Sequence, residues 1–518
     1  MNIEELKYQI LQQFGFPPTP EQAQALDVFV QFMTDSNPHA VMILRGSAGT
    51  GKTSLSGAIV STLRAVRQKV MLLAPTGRAA KVFSLNSGMP AYTIHRRIYR
   101  EKAFAGVDGQ FNLNDNLYTD TLFMVDEASM IANLGLGGTT FGSGCLLDDL
   151  VHFVYQGHND RLLLIGDKAQ LPPVGEEESP ALSAAMLQGY GLSVYECDLN
   201  EVVRQSQQSG ILYNATRIRQ MITHDDITQL PKIRFSGFSD IREMPGAELI
   251  EALGDSYHHV GLDDTIVVTR SNKRANIFNQ GIRNMVLDRE EELESGDMLM
   301  IVKNNYYWME EERKKIKESE ERRVKSEETA FGGRRESQIN SLSNHKVQSS
   351  NLKVQSNEIP AFLANGDRAK VIKVSRRIDL YGFHFATLLL KFPDYDNYEL
   401  EATVLLDTLM SEAPALTHDQ QEQLFHKIEE DYQDIPLKAD RMKAIRQDPY
   451  FNALQVKFAY AVTCHKAQGG QWSHVYVDQG YMTDEMLTPD YIHWLYTAFT
   501  RATEMLYLVN WPKTQIEG

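Results

Sequence analysis

Short apolar runs recur along the first part of the chain, and each ends in a polar loop. They lie at Val41–Leu44, Val70–Ala74, Leu122–Val125 and Leu162–Ile165. Because these runs are continuously apolar rather than alternating, they are typical of strands buried on both faces of a parallel sheet. Segments with helical spacing separate most of them. The pattern therefore predicts an α/β unit.

A second set of such runs predicts a second α/β unit later in the chain. Its members are Ile266–Thr269, Val475–Val477 and Leu506–Val509. We expect one lobe over residues 1–205, with the boundary near 205–215. The second lobe then covers residues 206–308 together with 451–518.

Two segments of different character interrupt the second unit. Residues 309–357 are rich in charge, poor in apolar residues and contain a short near-repeat, which favours a disordered, low-complexity insertion. The alternative is an arm that docks a partner. Residues 358–450 begin β-rich, with strand formers over Phe383–Leu390 and Tyr398–Leu406, and continue as a polar, helix-prone segment. We expect a small inserted β-barrel there.

Composition narrows the classes of partner and compartment. The net charge of −16 argues against a generally basic coating protein, although a local basic groove stays compatible with it. The spacing of Cys145, Cys197 and Cys464 fits no zinc pattern and indicates reduced thiols. The first residues are acidic without an apolar run, and no stretch of about 18 apolar residues occurs. We therefore expect a cytoplasmic protein without a signal peptide or a membrane span.

The strongest chemical signal is a glycine-rich segment directly after the first apolar run. It fits the phosphate-binding pattern GxxxxGK[ST] and precedes a segment with helical spacing. Its glycines let backbone amides wrap phosphates, and the helix N-terminus adds positive potential. We expect Lys52 at the β- and γ-phosphates and the Thr53 hydroxyl at Mg²⁺. The predicted nucleotide-binding residues here are Gly46, Ser47, Ala48, Gly49, Thr50, Gly51, Lys52, Thr53 and Ser54.

Two later strand ends complete the predicted nucleotide site. Asp126 and Glu127 follow the run Leu122–Val125. A carboxylate there can bind Mg²⁺, and its neighbour can deprotonate an attacking water. Gln170 lies in the loop after Leu162–Ile165, where its neutral side chain can sense a γ-phosphate by hydrogen bonding. The alternative for that loop is a simple turn whose path the prolines fix.

These motifs, taken in order with several others, resemble the superfamily 1 helicases. The likeness is strongest to the RecD/Dda/Pif-like branch, which moves 5′ to 3′. The ordered set covers nearly the whole chain and is specific, although no single member is, apart from the glycine-rich phosphate-binding segment 46–53 (the P-loop). Its blocks are residues 19–25 with Gln22, 46–53, 74–80 with Thr76, 93–96 with Thr93 and His95, 126–129, 166–174, 199–205 with Arg204, 462–469 with Thr463, His465, Lys466 and Gly469, and 496–502 with Arg501.

The resemblance implies two RecA-like lobes with ATP and Mg²⁺ bound between them. Gln22 would read adenine, and Gly469 would also contact the nucleotide. Asp126 and Thr53 would hold the metal. Arginine fingers from the opposite lobe would stabilise transition-state charge, worth ~10³–10⁵ in rate; the alternatives are a surface arginine at 204 and a helix ion pair at 501. The implied catalytic residues are Lys52, Glu127, Gln170, Arg204 and Arg501.

The resemblance also implies contacts to single-stranded and forked DNA. Hydroxyls and amides at loop ends suit phosphates without reading sequence. The two histidines remain open to the alternative of packing inside the lobes. The implied DNA-binding residues are Thr76, Thr93, His95, Thr463, His465 and Lys466.

Two insertions fit the same branch. Residues 96–118 contain a hairpin-turn signal and would form a strand-separating pin, with Phe104 or Phe111 stacking on a base. The equally open alternative is a hairpin packed on its own lobe. The inserted barrel resembles the SH3-like barrel of this branch, which would guide DNA.

The expected function is therefore an ATP-dependent DNA helicase that translocates 5′ to 3′. Two alternatives stay open at this point. One is a DNA-stimulated translocase that displaces proteins or remodels junctions without strong unwinding. The other is a regulatory nucleic-acid-binding module with an inactive nucleotide site. RNA also stays open as a substrate, because none of the motifs reads a 2′-hydroxyl.

Overall fold

The computed structural model describes residues 3–101, 111–135, 142–201, 208–224, 229–331, 362–395 and 397–517. The chain folds into two compact units. The larger comprises Met1–Glu290 and Ala459–Gly518, and the smaller comprises Glu291–Phe458. Among the helices in these described ranges, none combines the length and the apolar character needed to cross a bilayer.

The first part of the larger unit is a six-stranded parallel sheet with a small hairpin. Their strands are β1 (Ala40–Gly46), β2 (Lys69–Ala74), β3 (Ala91–Thr93), β4 (Tyr99–Glu101), β5 (Phe111–Leu113), β6 (Thr121–Val125), β7 (Arg161–Gly166) and β8 (Ser193–Leu199). The sheet order is β3-β2-β6-β7-β1-β8. Strands β4 and β5 pair antiparallel, so the predicted hairpin of this lobe is confirmed.

Helices cover both faces of this sheet. They are α1 (Ile3–Phe14), α2 (Pro20–Thr34), α3 (Lys52–Ala65), α4 (Gly77–Ser87), α5 (Ile94–Ile98), α6 (Leu146–Gln156) and α7 (Ala184–Gly189). Successive residues of β1 point to opposite cores. Met42 and Leu44 pack with α1, α2 and α3. Val41 and Ile43 pack with α5 and α6 on the other face. The uninterrupted apolar run of this strand reflects burial on both sides.

The second part of the larger unit is a five-stranded parallel sheet. Its strands are β9 (Ile241–Met244), β10 (Thr265–Thr269), β16 (Ala461–Thr463), β17 (Trp472–Asp478) and β18 (Ala502–Val509). Their order is β16-β10-β17-β18-β9. Its helices are α8 (Gly210–Thr223), α9 (Leu249–His259), α10 (Asn272–Gly281), α14 (Cys464–Ala467) and α15 (Pro489–Phe499). The predicted α/β class with two parallel sheets is confirmed.

The smaller unit is built on a closed five-stranded barrel, which confirms the predicted β-barrel insertion. Its strands are β11 (Met298–Ile301), β12 (Arg368–Leu380), β13 (Phe383–Phe392), β14 (Tyr398–Leu405) and β15 (Leu454–Phe458). Its helices are α11 (Tyr307–Phe331), α12 (His418–Asp431) and α13 (Lys438–Arg446).

The barrel corrects one predicted boundary. Its first and last strands, β11 and β15, lie in segments assigned from sequence to the second lobe. Both are short and largely apolar, and such runs do not distinguish a barrel wall from an α/β core. Because β11 pairs with β12 and with β15, both strands belong to the barrel.

Part of the predicted disordered insertion is helical. The prediction of disorder from residue 309 is wrong for its beginning, where α11 runs from Tyr307 to Phe331. Trp308 and Met309 are buried, and the Trp308 indole donates to the Asn452 carbonyl at 2.9 Å. Farther along, Lys314 and Lys315 pair with glutamates three residues earlier. Good helix formers and such pairs stabilise a helix without a large apolar face. Residues 332–357 of that prediction lie outside the described residues.

Short turns of other helix types complete the secondary structure. A π-helical turn follows α10 directly, and 3-10 turns occur at several loop ends. The π turn is Ile282–Val286, and the 3-10 turns are Ala128–Met130, Pro180–Leu182, Leu262–Asp264, Pro393–Tyr395, Leu406–Thr408, Asp484–Met486 and Lys513–Gln515.

Candidate nucleotide site and adjoining loops

The glycine-rich loop lies where β1 ends and α3 begins, at the carboxyl edge of the first sheet. Gly49 and Gly51 adopt left-handed conformations with φ of 78° and 81°. A β-carbon on Gly51 would lie 2.6 Å from Nε2 of Gln22. Glycine is therefore needed there both for its backbone conformation and for the close approach of Gln22. Helix α3 starts at Lys52, so its free amides open towards the loop.

Gln22 anchors this loop to α2. It is buried, and it forms a capping box with Thr19 at the start of the helix. Its Oε1 accepts from the Thr19 amide at 3.0 Å, while Nε2 donates to the Thr50 carbonyl at 2.9 Å. Both ends of the side-chain amide are therefore engaged. A contact with adenine would use the second N–H of Nε2 or the second lone pair of Oε1.

Lys52 folds over the loop that precedes it. Its ammonium donates to the carbonyl of Gly46 and, at 3.1 Å, to the carbonyl of Ser47. Thr53 and Ser54 are exposed on the first turn of α3. A cation and free helix amides thus face one concave loop, which is the arrangement that binds a phosphate chain.

Two carboxylates lie beside this cation. Asp126 ends β6 and accepts from the Glu127 amide at 2.9 Å. Burial, with the negative charge of Glu127, raises the pKa of Asp126, while the Glu127 amide and the charge of Lys52 oppose the shift. A desolvated carboxylate that the folded state disfavours as an isolated anion suits a divalent cation. Within the described ranges, no group of three or more His, Cys, Asp or Glu side chains could hold a metal by itself. Mg²⁺ commonly uses only one or two protein ligands together with phosphates, so Asp126 and Thr53 fit that ion.

Gln170 lies in the loop after β7, the neighbour of β1 in the sheet. Its side chain is buried, and its Oε1 has no hydrogen-bond partner in the described part of the chain. An unsatisfied buried oxygen is costly, so a polar ligand is its natural partner.

The loop that carries Gln170 is tied to the second sheet's helix α15 and to the segment after β16. Leu171 donates its amide to Oγ1 of Thr497 at 2.8 Å. The carbonyl of Leu171 accepts from Nε2 of Gln468 at 2.7 Å. The His493 ring nitrogen Nδ1 lies 2.9 Å from the Ala169 carbonyl. A movement of α15 relative to the first sheet must therefore move or break this loop.

Tyr496, also on α15, reaches the P-loop itself. Its hydroxyl accepts from the Ala48 amide at 3.1 Å and donates to the Asp167 carboxylate at 2.6 Å. One hydroxyl of the second lobe thus bridges the P-loop and the loop of Gln170. Tyr496 stands inside a predicted motif, but no sequence signal singled out this contact.

A second unpredicted contact comes from α8. The Arg219 guanidinium donates to Oγ of Ser47 and, at 3.0 Å, to Oδ1 of Asn200. Ser47 is the second residue of the P-loop. An arginine from the part of the chain that carries the second sheet therefore contacts the P-loop of the first lobe. The P-loop is called the phosphate cradle below, because it would hold the phosphates.

The two predicted arginine fingers are placed differently. Arg501 is buried and donates to the carbonyls of Thr497 and Gly470 and to the Thr500 hydroxyl, at 3.0 to 3.1 Å. These acceptors all belong to its own lobe, so the structure does not bring Arg501 to Lys52. Arg204 lies outside the described residues.

The threonines predicted to contact DNA lie at strand ends where short helices begin. Thr76 and Thr93 cap α4 and α5 by accepting from the amides three residues later, at 3.2 and 3.3 Å. Thr463 occupies the equivalent place before α14 on the second sheet. All three therefore lie at carboxyl edges of parallel sheets, beside free helix amides.

Gly469 connects these edges. A β-carbon on this residue would lie 3.2 Å from Oγ1 of Thr76. Nearby, Arg78 donates to the Gln471 carbonyl at 2.8 Å and lies 4.2 Å above the Trp472 ring. Gly469 was predicted to contact nucleotide, but its place is beside the predicted DNA contact Thr76. The segment after β16 thus meets α4 of the first lobe.

The remaining predicted DNA contacts differ in exposure. His465 is exposed, whereas Lys466 and His95 are half-buried. The His95 ring lies 5.6 Å from that of Tyr99. Burial lowers the pKa of His95 to about 4, against a weak opposing effect of Asp149. Any contact of His95 with a phosphate at neutral pH is therefore made by a neutral ring.

The lowered pKa of His95 leads to a prediction about acid stability. Its folded-state pKa lies below the unfolded value, so the neutral ring stabilises the fold fully above about pH 6.5, and this contribution is lost as the pH falls towards 4. Between pH 7 and pH 4.5, the wild-type chain should lose ~1–3 kcal/mol more unfolding free energy than His95→Gln. Urea unfolding at both pH values measures the difference. Parallel losses in the two chains would show that His95 does not titrate as described.

The hairpin predicted to separate strands is only partly visible. Strands β4 and β5 are paired, with Tyr99 opposite Leu113. The position of Phe104 and the side chain of Phe111 lie outside the described residues. Whether this hairpin separates DNA strands or packs on its own lobe therefore stays a prediction with both alternatives open.

Comparisons with known proteins agree with this geometry. Residues 18–230 match the model of an AAA domain, and residues 458–509 match the UvrD-like helicase C-terminal domain. The ATP-dependent RecD2 DNA helicase of Deinococcus radiodurans is 30% identical over 196 residues, 38% of this chain and 23% of that protein. The ATP-dependent DNA helicase Dda of Enterobacteria phage T4 is 23% identical over 292 residues, 55% of this chain and 60% of that protein. The chain thus spans less than two thirds of the curated relatives it matches.

Solved structures were also matched at low sequence identity. A Pif1 helicase from Bacteroides, in complex with ADP-AlF3 and ssDNA, aligns over 97% of this chain and 95% of its own. It is 12% identical, with a TM-score of 0.43. Pif1 helicase from Candida albicans aligns over 97% and 96%, with 15% identity and a TM-score of 0.42.

Proposed function

We propose, because the chain belongs to the RecD/Dda/Pif-like branch of the superfamily 1 helicases, that it is an ATP-dependent DNA helicase. It would move 5′ to 3′ on single-stranded DNA and unwind duplex ahead of it. The observation that carries the proposal is the bridge of Tyr496 between Ala48 in the P-loop and Asp167 beside the loop of Gln170. A phosphate bound at the P-loop would therefore lie beside residues of both lobes.

In this proposal the first lobe binds and hydrolyses ATP. Lys52 and the loop amides hold the phosphates, and Asp126 with Thr53 holds Mg²⁺, which would neutralise phosphate charge when bound. Glu127 accepts the proton of the attacking water. Oε1 of Gln170 has no hydrogen-bond partner in the described residues, so it accepts a hydrogen bond from this water or from a polar group beside the water.

The coupling to movement runs through α15. Thr497 and Tyr496 hold the loops of Gln170 and Ala48 by hydrogen bonds that a change in lobe spacing must alter. Gln468 extends this connection, since it bonds Leu171 and lies next to Gly469 beside Thr76. The same series of contacts therefore connects the nucleotide site to the residues proposed to hold DNA. A motor that alternates between two hinge states requires such a connection.

DNA would lie along the carboxyl edges of the two sheets. Thr76, Thr93 and Thr463 present hydroxyls beside helix amides there, and His95, His465 and Lys466 adjoin them. The threonine hydroxyls and helix amides are neutral donors that contact phosphates without reading bases, which suits a motor that must grip and release any sequence.

Compartment and substrate belong to the same proposal. Cys145, Cys197 and Cys464 are free thiols, as expected for a reducing cytoplasm. DNA is preferred over RNA because of the family placement, not because a residue recognises deoxyribose.

The test is ATP hydrolysis by the purified chain with and without single-stranded DNA. We expect Mg²⁺-dependent phosphate release that DNA stimulates at least about tenfold, because closing the lobes on DNA should complete the site. Hydrolysis unaffected by DNA would contradict the proposal. Stimulation without opening of a forked duplex would instead identify a translocase.

A further inference from the structure

The guanidinium of Arg219 lies against the P-loop. Its guanidinium donates to the Ser47 hydroxyl and to the Asn200 side-chain oxygen, both neutral acceptors. No carboxylate of the described residues forms an ion pair with it, although it is half-buried. The charge of Arg219 contributes to lowering the pKa of Asp198, but that carboxylate accepts its hydrogen bonds from Arg45. Because a partly desolvated guanidinium bonds an anion more strongly than a neutral acceptor, an anion is the ligand that suits this position.

The position of Ser47 indicates which part of a nucleotide would meet this arginine. Lys52 donates to the carbonyl of Ser47 at 3.1 Å, while Arg219 donates to its hydroxyl. The P-loop lysine serves the β- and γ-phosphates. Ser47 therefore lies between two cations at the terminal end of the phosphate cradle. The Tyr496 hydroxyl on the neighbouring Ala48 amide closes the same end.

Helix α8 holds Arg219 on a fixed support. Its first turn is anchored by Asp240, which accepts from the Ser209 hydroxyl at 2.5 Å and from the Gly210 amide at 2.7 Å. A β-carbon on Gly210 would lie 2.5 Å from Cγ2 of Ile241 in β9, so this end packs closely on the second sheet. Farther along, α8 packs on α15 and β18. Arg219 is thus carried by the second lobe and moves with it.

We propose that Arg219 binds the terminal phosphate of the nucleotide, leaving the Ser47 hydroxyl for phosphate oxygens. The inference rests on the proposed binding of ATP at this loop. A guanidinium forms stronger, charge-assisted and bidentate hydrogen bonds with phosphate than with a neutral hydroxyl. By contrast, the guanidinium of Arg501 donates hydrogen bonds to three acceptors of its own lobe. Among the arginines that the structure describes, Arg219 contacts Ser47 of the P-loop.

The variant Arg219→Ala should separate triphosphate from diphosphate. We expect its affinity for a non-hydrolysable ATP analogue to fall at least about tenfold, while its affinity for ADP stays within about threefold of wild type. Loss of one preorganised donor at a transferring group costs ~10²–10³ in kcat, and DNA-stimulated turnover should fall accordingly. Arg219→Lys keeps the charge but loses the planar fork. Its affinity for the ATP analogue and its turnover should therefore lie between those of wild type and Arg219→Ala.

Arg217→Ala is the matched control. Arg217 lies two residues earlier on the same helix, is exposed and pairs with Glu517. Its removal should leave both nucleotide affinities and kcat within about twofold of wild type.

Several outcomes would overturn the inference. If Arg219→Ala keeps the wild-type preference for triphosphate, Arg219 does not contact the terminal phosphate. If it loses ADP and the analogue equally, with a lowered melting temperature, its role is structural. A wild-type chain that binds the analogue without hydrolysing it would contradict the proposed function, and the binding comparison would still decide the role of Arg219. A wild-type chain that binds neither nucleotide would overturn both.

Discussion

Replacing Lys52 by alanine is expected to abolish ATP turnover, lowering kcat at least ~100-fold. The ammonium lies over the P-loop carbonyls of Gly46 and Ser47, so it is the cation placed to hold the β- and γ-phosphates. Phosphate release at saturating ATP and single-stranded DNA measures the effect.

Lys69 provides the control for this substitution. It belongs to the same sheet but lies at the amino end of β2, where it bonds Thr119 at 2.9 and 3.0 Å. Lys69→Ala should hydrolyse ATP within about twofold of wild type. Turnover by Lys52→Ala near the wild-type rate would remove the P-loop from the mechanism.

Replacing Glu127 by glutamine should separate binding from chemistry. The amide keeps the size of the side chain but cannot accept the proton of an attacking water, so turnover should fall ~10²–10⁴-fold. Binding of a non-hydrolysable ATP analogue should stay within about threefold, because Lys52 and the loop amides remain. Single-turnover hydrolysis and equilibrium binding, measured on the same preparation, test both parts.

Glu5→Gln supplies the comparison for Glu127→Gln. Glu5 is exposed on α1, and its carboxylate accepts from the Gln9 side chain at 2.7 Å. It should behave as wild type. If Glu127→Gln retains more than about a tenth of the wild-type turnover, another residue serves as the base.

The sequence was sufficient to predict those parts of the site that consist of contiguous residues. The P-loop from Gly46 to Thr53 and the strand end at Asp126 follow uninterrupted apolar runs, and these are buried on both faces in the structure. Strand β8 was missed because it lies at the edge of the sheet and buries only Cys197 and Leu199, so it has no continuous apolar run. Strand β3 has three residues, too few for any periodicity.

Contacts between distant residues left no comparable signal. Arg219 is one of two arginines on the amphipathic helix α8, and only the fold distinguishes it from Arg217, two positions away. Gln468 and Tyr496 stand inside predicted motifs, yet their partners Leu171 and Ala48 are about 300 and 450 residues away in the chain. Pairing at such separations depends on tertiary packing and cannot be read from local pattern.

The barrel shows the same limit at the level of domains. Strands β11 and β15 are each four or five residues of mostly apolar sequence, separated by more than 150 positions. They resemble core strands of an α/β lobe, and only their pairing with each other, with β12 and with β14 assigns them to the barrel. The β-rich pattern after residue 358 located the insertion, while the strand pairing set its limits.

Unwinding of two matched substrates tests the central claim most directly. One duplex carries a 5′ single-stranded tail and the other a 3′ tail, with identical base-paired sequence. With ATP and Mg²⁺, the chain should separate the 5′-tailed duplex at least about tenfold faster than the 3′-tailed one, and Lys52→Ala should separate neither. Preference for the 3′ tail, or equal separation without ATP, would contradict a 5′-to-3′ motor driven by this nucleotide site.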